Sequence, residues 1–213
     1  MATYESHHGL GERSKWPGCE ERRTLSELVA RYDFSGAFCE LVPTAPGLHA
    51  DNQFGHARLA ALLAKEKFQE FGDSRLFLQY SSWGAFNGAY KDELLSAMSK
   101  GGDFDPERYC IVWPSVDEVR DSIDGYVAGV SIPSAKSLTT TFARNKLRTW
   151  SGDSSAFVRA RGAAVPHMKT YGRLDSTGTR LAWSVLTSAN ISQYAWGKFT
   201  KGGLKCGTFG TIQ

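Results

Sequence analysis

The sequence predicts an α/β fold, a mixed β-sheet flanked by helices. Three observations lead there. Short apolar runs of strand length alternate along the chain with segments whose apolar residues recur at helical spacing. Two of those helical segments begin with a Ser/Thr-x-x-Glu capping box, Thr24-Leu-Ser-Glu27 and Ser115-Val-Asp-Glu118. Near the C-terminal end, two extended runs flank the turn residues Asp175-Ser176-Thr177-Gly178, so at least one pair of strands runs antiparallel.

In chain order, residues 1–23 are polar and interrupted by Gly9, Gly11, Pro17 and Gly18, which predicts an irregular connector ahead of a domain over 24–213. After Thr24, the residues Leu25, Leu28, Val29 and Tyr32 give a short amphipathic helix, and Ala37–Val42 reads as a strand stopped by Pro43. A helix follows from Gly55 to about Phe71, with Leu59, Leu62, Leu63 and Phe68 on one side. Arg75–Tyr80 is the next strand and empties into Ser81-Ser82-Trp83-Gly84. Lys91–Met98 is helical and ends at Gly101-Gly102, Tyr109–Trp113 is an apolar strand, and Ser115 opens another helix. Gly125–Pro133 reads as a Gly-rich loop and Leu138–Trp150 as a helix with Arg144, Lys146 and Arg148 outward. Val165–Tyr171 and Arg180–Thr187 form the antiparallel pair, and the Gly-rich stretch after Lys198 reads as a frayed end.

The chain's 213 residues suffice for one substantial domain or one lobe of a larger protein. Apolar content of 41% and a mean hydropathy of −0.33 are ordinary for a globular chain, and no apolar run is long enough to span a membrane. Cys19, Cys39, Cys110 and Cys206 are scattered without a C-x-x-C pair, and two of them lie in strand-like runs, which predicts reduced, buried thiols. A zinc site built from these with His49 and His56 is the alternative use of the same residues. Charge is unevenly distributed. Residues 1–107 hold 11 Lys/Arg against 16 Asp/Glu, whereas residues 108–213 hold 14 against 6. A basic half suits a polyanionic ligand, since Lys and Arg displace counterions from nucleic acid, although a solvated basic face has the same composition.

His167 and Lys169 stand two apart, which in an extended segment puts both side chains on one face. The returning strand would deliver Ser188 and Asn190 to the same edge. An imidazole, an ammonium and a carboxamide would then meet in one small volume, a set suited to proton management and charge stabilisation at a phosphodiester. A core histidine beside a surface lysine is the plain alternative. The pattern His-x-Lys followed by Ser-x-Asn resembles the phospholipase D superfamily. Many members carry Asp five residues after the Lys, where this chain has Leu174, with Asp175 one step out of register. Pro166-His-Met-Lys-Thr-Tyr171, Thr187-Ser-Ala-Asn-Ile-Ser192 and Ala195-Trp-Gly197 resemble instead the second motif of the tyrosyl-DNA phosphodiesterases. The likeness runs from Tyr32 to about Gly197.

That resemblance implies one phospholipase D-like lobe, the C-terminal lobe of such an enzyme, cut short at its C-terminal end. It implies a nuclear DNA-repair hydrolase, of exonuclease type, that acts on DNA carrying a 3′-linked tyrosyl peptide, with no cofactor, no metal and no membrane partner. His167 would be general acid and then general base, and Lys169 and Asn190 would hold the non-bridging phosphate oxygens. Ser81 and Ser82 would touch the DNA backbone, with Ala85 where the family often has a further Ser. Ser131, Pro133 and Ser192 would lie near substrate. The nucleophilic histidine of the family sits in a first His-x-Lys motif, and this chain has no second one: His49-Ala-Asp51 and His56-Ala-Arg58 both fail. A missing N-terminal lobe is therefore expected to complete the site, and the acidic residue that orients the second histidine is not supplied after Lys198. Two other readings stay open at this level: a single-motif nuclease active as a homodimer, and a non-catalytic DNA-binding remnant.

Overall fold

The computed structural model describes residues 20–83, 88–133, 144–149 and 164–207, with residues 13, 17, 18 and 86. Its centre is a five-stranded mixed sheet. The elements are α1 (Leu25–Val29), β1 (Gly47–His49), α2 (Gly55–Leu63), a 3-10 turn (Gln69–Phe71) and β2 (Arg75–Gln79). Then come α3 (Gly88–Met98), β3 (Tyr109–Val112), α4 (Val116–Arg120), a 3-10 segment (Gly125–Ser131) and β4 (Leu147–Arg148). The chain finishes with β5 (Lys169–Leu174), β6 (Leu181–Thr187), α5 (Gln193–Trp196), β7 (Lys198–Thr200) and β8 (Gly203–Cys206).

The large sheet has the order β4-β3-β2-β5-β6, with β2, β3 and β4 mutually parallel and β5 antiparallel to both β2 and β6. Alternation fixes its buried face. Leu76 and Leu78 of β2 are fully buried, and in register they face Arg173 and Tyr171 of β5, both also fully buried. Leu59 and Leu63 of α2 and Tyr90, Leu94, Leu95 and Met98 of α3 join those strands, Ile191 and Trp196 in one core cluster. A second, three-stranded sheet of order β1-β8-β7 closes over a smaller cluster of Ala45, Phe54, Ala57, Leu204 and Cys206.

Both capping boxes form as the sequence predicts. Thr24 Oγ1 and Ser115 Oγ each accept from the backbone N–H three residues on, and Glu27 and Glu118 reach back. Several expectations are corrected. Ala37–Val42 forms no strand, because none of the described strands pairs with it, and Phe38 and Cys39 are exposed. The helix expected to run to Phe71 ends at Leu63, where the chain turns so that Phe68 N–H donates to Gly101 C=O. Gly125–Ser131 is a 3-10 segment rather than an open loop. The expected helix over Leu138–Trp150 lies partly outside the described residues; within 144–149 the chain forms β4. There Ile111 N–H donates to Lys146 C=O and Trp113 N–H to Arg148 C=O, so pairing with the open edge of β3 overrides helical propensity. The stretch after Lys198 is not frayed as far as residue 207, since β7 and β8 complete the small sheet with β1. Tyr4, Cys19, Gly84 and Ala85 lie outside the described residues.

Candidate active site

The site residues gather where three strands of the large sheet end on one edge. β2 delivers Gln79, β5 starts at Lys169 and β6 finishes at Thr187, with Gln79 opposite Thr170 and Lys169 opposite Thr187. Ligands in open α/β sheets are commonly bound beyond the carboxyl ends of strands, and β2 and β3 both end on this side.

His167 and Lys169 do share a face. Lys169 Nζ lies 3.5 Å from His167 Nε2 and donates to His167 C=O at 2.6 Å. The lysine is 4% exposed whereas the histidine before it is exposed. Burial pushes the Lys169 ammonium below its ordinary value. A positive charge there costs free energy that a neighbouring anion would offset.

Asn190 is turned by the end of β2. Its Oδ1 accepts from the backbone N–H of Ser81 and of Ser82, each at 3.0 Å. That assignment fixes the amide: the oxygen is spent on the backbone, and the Nδ2 donors are the part left to face a ligand. Ser81 is buried and Ser82 partly so, and their N–H groups orient Asn190 rather than standing free. Ser192 is the N-cap of α5, with Oγ accepting from Ala195 N–H at 3.1 Å, which leaves its O–H as a donor. Ser131 and Pro133 are exposed, and Pro133 C=O accepts from Trp83 N–H at 3.3 Å, so this segment is tied to the chain just after Ser82.

Two positioning residues were not singled out from sequence. Gln79, 5% exposed, donates through Nε2 to Met168 C=O at 3.1 Å and accepts from Thr170 Oγ1 at 2.9 Å. It holds the chain on both sides of Lys169, through the Met168 backbone and the Thr170 side chain. A polar residue closing the apolar run Leu76-Phe-Leu-Gln79 was the available signal. Tyr171 is fully buried, stands edge-on to Trp196 at 5.2 Å between ring centroids, and donates its O–H to Ala189 C=O at 2.7 Å. It thus holds the loop that carries Asn190, and burial pushes its phenol well above the ordinary range.

The other histidines among the described residues are engaged elsewhere. His49 Nε2 bonds Ala45 C=O at 2.8 Å, and His56 Nε2 bonds Glu93 Oε1 at 2.6 Å. No three His, Cys, Asp or Glu side chains among the described residues are grouped to hold a metal ion.

Comparison with known proteins gives the family of the chain. The family model described as tyrosyl-DNA phosphodiesterase matches residues 13–209. A tyrosyl-DNA phosphodiesterase 1 of Arabidopsis thaliana is 34% identical over 195 residues, 87% of this chain and 31% of that protein. A probable tyrosyl-DNA phosphodiesterase of Caenorhabditis elegans is 31% identical over 193 residues, 82% of this chain and 41% of that protein. The chain thus spans about a third to two-fifths of these relatives. Among solved structures, the yeast tyrosyl-DNA phosphodiesterase superposes with a TM-score of 0.52 over 76% of this chain and 42% of its own, at 19% identity.

Proposed function

The chain belongs to the tyrosyl-DNA phosphodiesterase family, and from that premise we propose that it supplies the acid–base half of a site that hydrolyses a 3′-phosphotyrosyl bond in DNA. In this reading His167 protonates the departing tyrosyl oxygen and then takes a proton from the attacking water. Lys169 Nζ and Asn190 Nδ2 hold the non-bridging oxygens as charge builds on them. Ser81, Ser82, Ser131, Pro133 and Ser192 border the path of the DNA strand. The nucleophilic histidine comes from a second lobe, since this chain has one His-x-Lys motif, and attack through it forms a phosphohistidine that the water then resolves. The proposed setting is DNA repair in the nucleus.

One observation supports the reading above the others: Lys169 Nζ stands 3.5 Å from His167 Nε2, on the same sheet edge as a carboxamide turned by two backbone N–H groups. The test is release of tyrosine from a 3′-phosphotyrosyl oligonucleotide by this chain, alone and mixed with the remaining part of a relative. Little turnover alone, turnover on mixing, and a loss of about 10²–10⁴ in rate with His167→Ala are expected. Enzyme-like turnover by the chain alone, or a mixed assembly indifferent to His167, overturns it.

A further inference from the structure

The four-residue helix α5 and the hairpin that follows carry exposed groups that the His–Lys–Asn set does not use. Tyr194, on α5, is 66% exposed, four residues after Asn190. Its ring is held against backbone: a Cβ on Gly207 would lie 2.0 Å from Tyr194 Cδ1. Lys198 of β7 is directly opposite Lys205 of β8, and both are exposed. Directly opposed residues in an antiparallel pair share a face, and like charges there repel. Neither lysine has an ion-pair partner among the described residues, nor does Lys201 in the turn between the strands. From Ile191 to Gly207 there is no Asp or Glu. Gly207 directly follows β8, two residues after Lys205, so the aromatic ring packs at the end of the strand that carries one of the opposed lysines.

Resting on the DNA reading above, we infer that Tyr194, Lys198 and Lys205 form a tracking surface for single-stranded DNA that continues from the phosphate-binding edge. An exposed ring gives a base a face to stack on, and the paired ammonium groups take backbone phosphates that relieve their mutual repulsion. One short helix separates Asn190 from Lys198, which limits their separation to roughly 20 Å, a span of only a few nucleotides. The contact reads no sequence, because every base has a stacking face and every phosphate the same charge.

The experiment is fluorescence anisotropy of the full chain with a labelled 12-nucleotide single strand ending in a 3′ phosphate, across a salt series. Tyr194→Ala should weaken binding about tenfold or more, Tyr194→Phe should restore it, and Gly207→Ala, which displaces the ring without removing it, should weaken it too. Lys198→Gln with Lys205→Gln should lower the slope of log affinity against log salt by about 1.4, at about 0.7 per phosphate contact on a single strand. A two-nucleotide probe should lose the lysine effect. No DNA binding by the chain, binding and salt slope unchanged in all variants, or a Tyr194 effect seen only with a tyrosyl peptide each overturn the surface. Altered DNA binding in these variants, with no cleavage by any assembly, would remove the catalytic reading and leave the surface standing. Cleavage with unaltered binding would do the reverse.

Discussion

The carboxamide of Asn190 serves two directions at once. Its oxygen satisfies the N–H groups of Ser81 and Ser82, and its nitrogen is left for a ligand. Removing both with Asn190→Ala strands the buried Ser81 N–H, which costs about 1–3 kcal/mol, and it also removes the ligand donor. Asn190→Asp keeps the acceptor and discards the donor. Its stability in urea should stay near that of the parent, while anion binding and turnover fall as far as in the alanine variant. Equal destabilisation of the two would mean that Oδ1 is not what the backbone holds. Lys169 makes the opposite trade. Its ammonium is buried, and burial holds its pKa below the ordinary lysine value. Lys169→Met should therefore unfold no earlier in urea than the parent, while turnover by the assembled site drops by about 10²–10³, the usual loss for one preorganised donor. A clear destabilisation would show that the Nζ bond to His167 C=O outweighs the desolvation of the charge.

Within the large sheet, a tight constraint falls on Gly172. Its strand partners are Phe77 on β2 and Ser184 on β6, and a Cβ there would lie 2.5 Å from Phe77 Cε1 and 2.7 Å from Trp183 C=O. The ring of Phe77 thus fills the place of a side chain, and β5 stays close to both neighbours on either side of the site edge. Gly172→Ala should cost about 1–3 kcal/mol by overpacking. Phe77→Leu together with Gly172→Ala should recover part of that, so a double-mutant cycle by urea denaturation should give a non-zero coupling; additive effects would clear Phe77 of the clash. This contact was not legible in the sequence, because it depends on register across three strands. What could be read was local or repeated: the capping boxes at Thr24 and Ser115, the apolar runs of β2 and β3, and the i, i+2 spacing of His167 and Lys169. What could not be read needed a distant partner. Leu147–Arg148 becomes a strand because β3 leaves an open edge, Lys198–Cys206 becomes a sheet because Gly47–His49 pairs with it, and Ala37–Val42 has the composition of a strand but no partner among the described strands. The same limit hid Gln79, whose bonds to Met168 and Thr170 cross 89 and 91 residues of chain.

At the scale of the molecule, a part-buried contact of Glu93 ties the helices that pack on the large sheet to the small sheet. Glu93 on α3 accepts at Oε1 from the Phe199 N–H of β7 at 2.9 Å and pairs with His56 Nε2 of α2 at 2.6 Å. His56 is fully buried and its Nδ1 has no partner among the described residues. Burial lowers its pKa below the ordinary histidine value of 6.5, and the hydrogen bond and charge of Glu93 oppose that only in part. Well above pH 6.5 the ring is neutral in both folded and unfolded chains, and the group adds no pH dependence. As pH falls through 6.5 the unfolded chain takes up the proton first, so it binds more protons than the folded one and stability falls. The loss stops growing once the folded-state value is passed. His56→Gln, whose amide can still donate to Glu93, should flatten that part of the pH–stability profile in urea denaturation, whatever its absolute stability at pH 7.5. Hydrogen exchange followed over the same range should show the amides of β7 and β8 losing protection before those of β2 and β5, because Glu93 bonds directly to β7 and not to the large sheet. An unchanged acid slope in His56→Gln, or loss of protection that starts in the large sheet, would place the acid sensitivity outside this contact.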